Sequence, residues 1–315
     1  MATDSSAGTA PLNFYHFGAE NEFWSGYTDY NWPDPETKKD MRGEVVLLSR
    51  NIKIMADQVA NKWNGQFVTL DKVLKDSDDY DQLYQGLTVL HNVEFAYMGQ
   101  KNRDVAAVTF INSKLLSNAP VLSELKGVTI HDGAGWGISI EDSQYITIKD
   151  VFIFNVTQIG VNLNKTDFVS LDTVYVYGVN PRDFIVPALY DPNTLTPVEG
   201  CFLICPYTDH KCSKTTVENS IAAGCPYAGF IGPGTPCRAL NADEYTPMKN
   251  NIAHSVKGSG FIIFPDPAIE DQKTCYRARK LFAYKCEEAG FATCQRPRNS
   301  NLSTLEVLTT LLVFH

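Results

Sequence analysis

The sequence lacks the marks of several large classes of protein. No apolar run reaches the roughly 18 residues that a membrane-spanning helix needs, because the apolar segment at residues 305–315 is too short and holds two threonines. Lys and Arg form no cluster, and the net charge is −9, which argues against nucleic acid or an anionic membrane surface as a partner. No P-loop, dinucleotide or Ser-His-Asp signature stands out, so we predict no cofactor and no metal.

Cysteine is absent from the whole of the chain that precedes Cys201. The spacings between the cysteines lack the paired C-x2-C motifs of structural zinc sites, whereas an even, clustered set is typical of disulfide bonds. Zinc is the alternative interpretation. We therefore expect disulfides and an oxidising, extracellular compartment. The eight cysteines are Cys201, Cys205, Cys212, Cys225, Cys237, Cys275, Cys286 and Cys294.

The first ten residues, MATDSSAGTA, lack the basic and apolar regions of a signal peptide. An extracellular chain with this start is expected to be a mature or internal piece of a longer protein. Three candidate N-glycosylation sequons, at Asn155, Asn164 and Asn301, are compatible with that compartment. About three sequons are expected by chance in a chain of this length, so they add little alone.

Residues 127–179 contain no Asn-Gly hairpin turn, although they alternate between apolar and polar residues again and again. Three short alternating segments recur with a 23-residue interval. This interval, with period-2 alternation inside it, predicts an all-β, right-handed parallel β-helix with three strands in each repeat. Equivalent positions are Ile130, Ile153 and Val176 in one series, Ile138 and Val161 in the second, and Ile146 and Val169 in the third.

Residues that tolerate bends recur at the same interval. Asp132, Asn155 and Gly178 fall in register, and their residue types accept left-handed backbone conformations. A weaker repeat downstream relates residues 219–231 to residues 250–262 at an offset of 31. The extra residues indicate loops that leave the repeat.

The pattern divides the chain into three parts. Residues 1–40 read as a loop-rich leading segment, and residues 41–268 as the β-helix, with an insertion at about 180–200 that carries four prolines. Residues 269–315 are expected to form a cysteine-containing C-terminal cap or extension. Residues 275–294 show helical rather than strand spacing, which is compatible with a disulfide-tied cap at the end of a solenoid.

Several of these segments resemble a known family. "GEVVLLSRNIKI", "NVEFAYMGQ", "GVTIHDGAGWGISIEDSQYITIKDVFIFNV", "TTVENSIAAGCPYAGFIGPGTPC" and "NNIAHSVKGSGFIIFPD" are similar, in that order, to the β-helix region of fibrocystin and fibrocystin-L. The resemblance covers roughly residues 40–265. It implies a segment of a large, mostly extracellular surface protein linked to cilia, in which a glycine-rich domain that this chain lacks would precede the match.

A related branch, the cell-surface hyaluronidases of the transmembrane-protein-2 type, shares the β-helix and the "GEV-LLSRNI" entry. The fold alone therefore does not decide between a structural protein and an enzyme. Candidate ionisable residues for polysaccharide cleavage are His131, Asp132, Glu141, Asp142, Arg182 and Asp183. Asp132 also belongs to the series of bend residues, and His131 is in register with Phe154 and Tyr177, so structural roles are the prediction for both. His254 is likewise interpreted as structural.

The parity of the strands predicts two outer faces of different character. Phe152, Phe154, Tyr175 and Tyr177 project from one face, next to His131. An apolar column of this size is expected to be covered by a loop or a neighbouring subunit, or to bind sugar rings. The second face is expected to stay in water and to be able to accept a glycan. Its outward residues are Ser139, Glu141, Asn162 and Asn164.

These observations favour a non-catalytic structural or adhesive segment of an extracellular, fibrocystin-like surface or fibre-forming protein. Expected partners are other copies of the chain or other extracellular proteins. The alternative is a β-helix that binds or cleaves a polysaccharide.

Overall fold

A computed structural model describes residues 45–57, 63–75, 81–101, 103–114, 122–181, 199–205, 212–236, 247–264, 276–277 and 280–293. The chain divides into two units, Met1–Leu47 and Leu48–His315, and nearly all described residues belong to the second. Every regular element among them is a β-strand, which confirms the all-β prediction. The described part of the chain contains no helix long and apolar enough to cross a membrane.

The described elements are 24 short strands. The first twelve are β1 (Ile52–Met55), β2 (Phe67–Leu70), β3 (Lys72–Lys75), β4 (Asp81–Tyr84), β5 (Val89–His91), β6 (Val93–Ala96), β7 (Ala106–Ile111), β8 (Ser123–Lys126), β9 (Thr129–His131), β10 (Trp136–Glu141), β11 (Gln144–Phe154) and β12 (Ile159–Asn164). The others are β13 (Asp167–Tyr177), β14 (Gly200–Ile204), β15 (Thr216–Glu218), β16 (Ile221–Ala223), β17 (Ala228–Pro233), β18 (Thr235–Pro236), β19 (Met248–Lys249), β20 (Ile252–Val256), β21 (Ser259–Phe264), β22 (Tyr276–Arg277), β23 (Phe282–Cys286) and β24 (Ala289–Thr293).

Two large parallel sheets contain most of these strands. The twelve-stranded sheet follows the order β1-β6-β9-β11-β13-β16-β20-β23, with β5, β8, β15 and β19 attached beside that path. The eight-stranded sheet follows the order β2-β7-β10-β12-β14-β17-β21-β24. Neighbouring strands in each sheet come from successive repeats, so the repeats stack. The small pairs β3–β4 and β18–β22 are antiparallel.

The strand register reproduces the 23-residue interval found in the sequence. Ile153 lies opposite Ile130 on one side and opposite Val176 on the other. The second and third series align in the same way, with Ile138 opposite Val161. The weaker repeat is also confirmed, because Ile221 pairs with Ile252 at an offset of 31.

One hydrophobic core takes side chains from both large sheets. Period-2 alternation turns Ile153 of the twelve-stranded sheet and Ile138 of the eight-stranded sheet inward, and both are fully buried in the same cluster. Four phenylalanines of the eight-stranded sheet stack inside it with centroid separations of 4.5 to 5.1 Å. They are Phe202, Phe230, Phe261 and Phe291.

The predicted bend residues have left-handed backbone conformations. The φ angles are 54° for Asp132, 52° for Asn155 and 65° for Gly178, so this part of the sequence reading is confirmed. The equivalent bend positions in the other repeats also have positive φ angles. Some of them are residue types that rarely adopt such angles. Along the stack the bend positions are Tyr97, Asp132, Asn155, Gly178, Gly224, Ser255 and Lys285.

The helical interpretation of residues 275–294 is wrong for the part that the structure describes. β23 and β24 lie there and pair in parallel with β20 and β21. The reason is packing, since Phe282, Ala283 and Tyr284 are buried and Phe291 stacks on Phe261. Stacked strands therefore continue beyond residue 268. The leading segment 1–40 and residues 182–198 of the insertion lie outside the described residues.

Two disulfide bonds confirm that part of the cysteine prediction. They join Cys201 to Cys225 and Cys205 to Cys212, with Cα–Cα distances of 5.6 and 6.0 Å. Cys237, Cys275 and Cys294 lie outside the described residues.

Cys286 corrects its assignment to the disulfide-bonded cysteines. It is a free, buried thiol. The cause is its position on β23 opposite Val256, which places the sulfur in the hydrophobic core. Burial raises the pKa of the Cys286 thiol.

Candidate functional site

The outward side of the twelve-stranded sheet carries the site residues predicted from the sequence. Side chains between the inward ones point outward, and the register arranges them in two columns, which together we call the outer face. The first column is Lys53, Glu94, Thr129, Phe152, Tyr175, Ile221, Ile252 and Phe282. The second column is Met55, Ala96, His131, Phe154, Tyr177, Ala223, His254 and Tyr284.

Four aromatic rings form the centre of the outer face, and we call them the aromatic patch: Phe152, Phe154, Tyr175 and Tyr177. The ring centroids of Phe152 and Tyr175 are 5.3 Å apart at 80°, and those of Tyr175 and Tyr177 are 6.3 Å apart at 83°. Such edge-to-face contacts are favourable and fix the ring orientations. Phe154 is 42% exposed and the other three rings are half-buried.

Residues 48–50 cross one end of the aromatic patch. The Arg50 guanidinium lies 5.9 Å from the Phe152 ring centroid, and its Nε donates a 2.7 Å hydrogen bond to the Gly127 carbonyl. The Thr129 hydroxyl donates to the Leu48 carbonyl, and Thr129 is fully buried. The chain therefore covers the Phe152 end of the patch, whereas Phe154 stays accessible.

An ionic network borders the aromatic patch on the side of the first repeats. The buried Glu94 carboxylate accepts hydrogen bonds from Lys53 Nζ at 2.7 Å and from the Arg50 backbone N–H at 3.2 Å. His131 lies between two carboxylates, with Nε2 3.0 Å from Glu94 Oε1 and Nδ1 2.9 Å from Asp132 Oδ2. Since both neighbours are acceptors, both contacts are hydrogen bonds when the imidazole carries two protons.

The protonation state of Glu94 shows what this network can do chemically. Burial alone would raise the pKa of Glu94, but hydrogen bonds from Lys53, His131 and the Arg50 N–H outweigh it, and the pKa lies below its usual range. The hydrogen bond to Glu94 raises the pKa of Lys53. A general acid needs a raised pKa near the working pH. Glu94 is instead an ionised, fully engaged carboxylate, as a structural role requires.

Glu141, at the end of β10, and Asp142, which follows it, lie apart from the outer face. Glu141 accepts a 2.8 Å hydrogen bond from Ser139, and Asp142 pairs with Lys114 at 2.7 Å. The His254 ring stacks on Tyr284 at 4.7 Å and 13°, a packing contact that suits the structural role predicted for it. Arg182 and Asp183 lie outside the described residues.

The expectation that the polar face stays in water is wrong for two of its residues. Ser139 is 2% and Asn162 is 5% exposed, and Asn162 Nδ2 donates to Ser139 Oγ at 3.1 Å. Glu141 and Asn164 are partly exposed. Along the same column, Ser139 is paired with Asn162 and Asn162 with the buried Leu203, so both polar residues continue a row of side chains that later repeats fill with a second buried cluster. Its outward members include Leu203, Ile231 and Ile262.

The first sequon belongs to a ladder of amide hydrogen bonds. Asn155 Nδ2 donates to Asp132 Oδ1 at 2.6 Å, and Asn155 Oδ1 accepts from Asn180 Nδ2 at 2.7 Å. A sugar on Asn155 Nδ2 would compete with the first of these bonds. Asn164 is partly exposed, so its geometry suits a glycan better. Asn301 lies outside the described residues.

A second ladder of the same kind was not anticipated from the sequence. Asn219 Nδ2 donates to Asp172 Oδ1, and Asn250 Nδ2 donates to Asn219 Oδ1, both at 2.8 Å. The Asn219 hydrogen bond lowers the pKa of Asp172 against the opposing effect of burial, and Lys149 adds to the lowering. The 31-residue offset between Asn219 and Asn250 could have indicated this ladder, because it equals the interval of the weaker repeat.

Within the described ranges, no group of His, Cys, Asp and Glu side chains is placed to hold a metal ion. No protein-family model matches the chain, and no curated protein matches it either.

Proposed function

We propose that the stacked sheets form a right-handed parallel β-helix that is an extracellular segment of a fibrocystin-like surface or fibre-forming protein, with cilia among its sites. The repeating register and the two disulfide bonds support this proposal. The sequence segments that resemble fibrocystin add to it, since they fall on β1, β6, β9–β11, β15–β18, β20 and β21.

The role that we propose is structural or adhesive rather than catalytic, with the aromatic patch as the docking surface. The observation that carries this proposal is the contrast within the outer face. Phe154 is exposed, whereas the neighbouring Glu94 is engaged in an ion pair with Lys53 and a hydrogen bond with His131. Burial of large aromatic side chains drives protein docking, at roughly 1.5–3 kcal/mol for each side chain.

Cell attachment tests this role. The chain, secreted with an added signal peptide, is coated on a surface, and attached cells are counted for the wild type and for the double variant Phe154→Ser/Tyr175→Ser. We expect the double variant to lose attachment, and protease treatment of the cells to abolish attachment to the wild type. The control is Phe168→Ser, because Phe168 is 37% exposed but lies off the outer face. Unchanged attachment of the double variant would contradict the docking role.

Polysaccharide binding is the second candidate, because the exposed Phe154 directly precedes Asn155, whose side-chain amide is hydrogen-bonded to that of Asn180. A flat ring with neighbouring amide groups suits a sugar. Attachment that resists protease but disappears after enzymatic removal of cell-surface glycans would favour this candidate. Incubation with hyaluronan of defined length covers the enzyme alternative, since only an enzyme shortens the polymer.

A further inference from the structure

Two sequons lie at bends that the structure describes. One is at Asn155, directly after β11, and the other is at Asn164, the last residue of β12. Each has a threonine two positions further on, Thr157 and Thr166. N-linked modification needs this tripeptide and a surface position that can hold a bulky sugar. The surroundings of the two asparagines therefore decide which of them can carry a glycan in the folded chain.

The amide group of Asn155 is part of the fold. Its Nδ2 lies 2.6 Å from Asp132 Oδ1, and its Oδ1 accepts a 2.7 Å hydrogen bond from Asn180. The Thr157 hydroxyl of the same sequon donates to the Gly133 carbonyl at 3.3 Å. A sugar on Asn155 Nδ2 would crowd the Asp132 carboxylate and weaken a ladder that joins three neighbouring repeats.

The amide group of Asn164 has no such role. Its Oδ1 is buried without a hydrogen-bond partner, and no hydrogen bond within the described part of the chain holds its Nδ2. The residue is partly exposed, and the next residue, Lys165, is exposed with a φ angle of 52°. The fold instead holds Asn164 by its backbone, since its carbonyl accepts from the Asp142 N–H at 2.9 Å. A sugar on Asn164 Nδ2 can therefore leave this bend without breaking a hydrogen bond of the fold.

The threonine of the second sequon indicates when the sugar would be added. Thr166 is 1% exposed, and its hydroxyl donates to Cys212 Sγ at 3.0 Å and lies 2.8 Å from Thr215 Oγ1. Cys212 is bonded to Cys205. An enzyme that recognises the tripeptide cannot reach a threonine in this position. The transfer must therefore precede the packing of Cys212 on Thr166.

We propose that Asn164 carries an N-linked glycan in the folded, secreted chain and that Asn155 does not. In the transfer, Asn164 Nδ2 attacks the anomeric carbon of an oligosaccharide that is linked to a lipid diphosphate. A carbon–nitrogen bond forms, the bond between the anomeric carbon and the phosphate oxygen breaks, the lipid diphosphate leaves, and the amide loses one proton. The glycan rests on the extracellular location proposed for the chain, but not on the docking role of the aromatic patch, because Asn164 lies on the eight-stranded sheet.

Secretion of the full chain from cultured animal cells, with an added signal peptide, tests the site. The host supplies the transferase and the lipid-linked donor, so the result does not depend on the native location of the chain. Peptide:N-glycosidase converts a glycosylated asparagine into aspartate, which mass spectrometry detects. Both sequon asparagines fall on one tryptic peptide, residues 150–165, so fragment ions assign the position. We expect conversion at Asn164 and an unmodified Asn155.

Matched variants supply a second measurement. Asn164→Gln should abolish the shift in gel mobility that glycosidase treatment causes, whereas Asn155→Gln should keep it. Replacing Cys205 and Cys212 together by Ser leaves the sequon open for longer, so the modified fraction at Asn164 should not fall. A fall would contradict the proposed order of events.

A secreted wild-type chain without a glycan on Asn164 would overturn the proposal, and so would a glycan on Asn155 in the folded chain. The cell-attachment experiment is independent of these outcomes. The docking role and the modification site can therefore fail separately.

Discussion

At the scale of single residues, the outer face depends on carboxylates that folding keeps ionised. Glu94 links Lys53 of β1 to His131 of β9 across three stacked repeats. Asp172 holds Asn219 of the next repeat in the same way. A carboxylate with these partners stabilises the fold only while it carries its charge. These contacts should therefore be among the first that the fold loses as the pH falls.

Stability should therefore depend on pH through Glu94. Its pKa is lowered from the usual 4.5, so its contribution is present above about pH 4.5 and is lost as the pH falls through the lower folded-state value. We expect Glu94→Gln to lose about 1–3 kcal/mol of unfolding free energy at pH 7 and to show a flatter pH profile between pH 6 and 3. Urea unfolding at several pH values measures both. The control Asp81→Asn removes an exposed carboxylate and should resemble the wild type, and a Glu94→Gln profile as steep as the wild-type profile would contradict this account.

The sequence predicted part of the site at this scale. Parity and the repeat interval identified the aromatic patch and the register of His131 with Phe154, because a period-2 pattern determines which side chains point outward. The Glu94–Lys53 contact was missed, since residues 53 and 94 are not related by the 23-residue interval. Residues 48–50 were also missed as a cover, because a segment that crosses strands has no periodicity.

At the scale of elements, glycine allows β10 to pack closely against its neighbour β12 and against the side chain of Ile153 in β11. Gly137 of β10 lies beside Gly160 of β12, 23 residues further along the chain. A Cβ on Gly137 would lie 2.5 Å from the Gly160 carbonyl oxygen and 2.9 Å from Ile153 Cγ2. The neighbouring backbone cannot yield without disturbing the strand ladder.

We therefore expect Gly137→Ala to cost about 1–3 kcal/mol of unfolding free energy, measured by chemical denaturation. Gly65→Ala is the matched control, because a Cβ there meets only Met98 at 3.4 Å, an ordinary van der Waals distance. Equal stability of the two variants would show that the close approach at Gly137 is absent in solution.

The strands of residues 127–179 could be predicted from the sequence, whereas those of residues 280–293 could not. Residues 127–179 were predictable because every repeat there keeps the same interval and the same β-branched residues. Residues 280–293 were not, since Ala, Glu and Lys favour helix locally, and only stacking on β20 and β21 holds this segment as strands. Tertiary packing likewise places Tyr97 and Lys285 in left-handed conformations that neither residue type favours.

At the scale of the whole molecule, two disulfides close loops of different length around β14. Cys201 lies on β14 and Cys225 follows β16, a sequence separation of 24 residues, whereas Cys205 and Cys212 are separated by 7. The longer loop restricts the unfolded chain more. The first bond should therefore contribute more to stability.

Replacing Cys201 and Cys225 together by Ser should lower the unfolding free energy by about 3 kcal/mol. The loss on replacing Cys205 and Cys212 together by Ser should be about 1 kcal/mol smaller than that. Denaturation under non-reducing conditions measures both changes. Peptide mapping of the unreduced protein should recover the two bonds and find Cys286 alkylated only after unfolding. Reaction of Cys286 in the native protein, or a cross-link to it, would contradict its place in the core.

The change of interval along the stack has a consequence for how such a molecule can evolve. The interval is shorter between Ile153 and Val176 than between Ile221 and Ile252, yet each pair aligns in the same sheet. The additional residues of the longer interval are absorbed between strands and leave the parity of each strand intact. Genes for this architecture can therefore gain whole duplicated repeats, or accept foreign sequence at a bend, without reversing either face. An indel of odd length inside a strand would exchange core and surface, so natural length variation should concentrate at the bends.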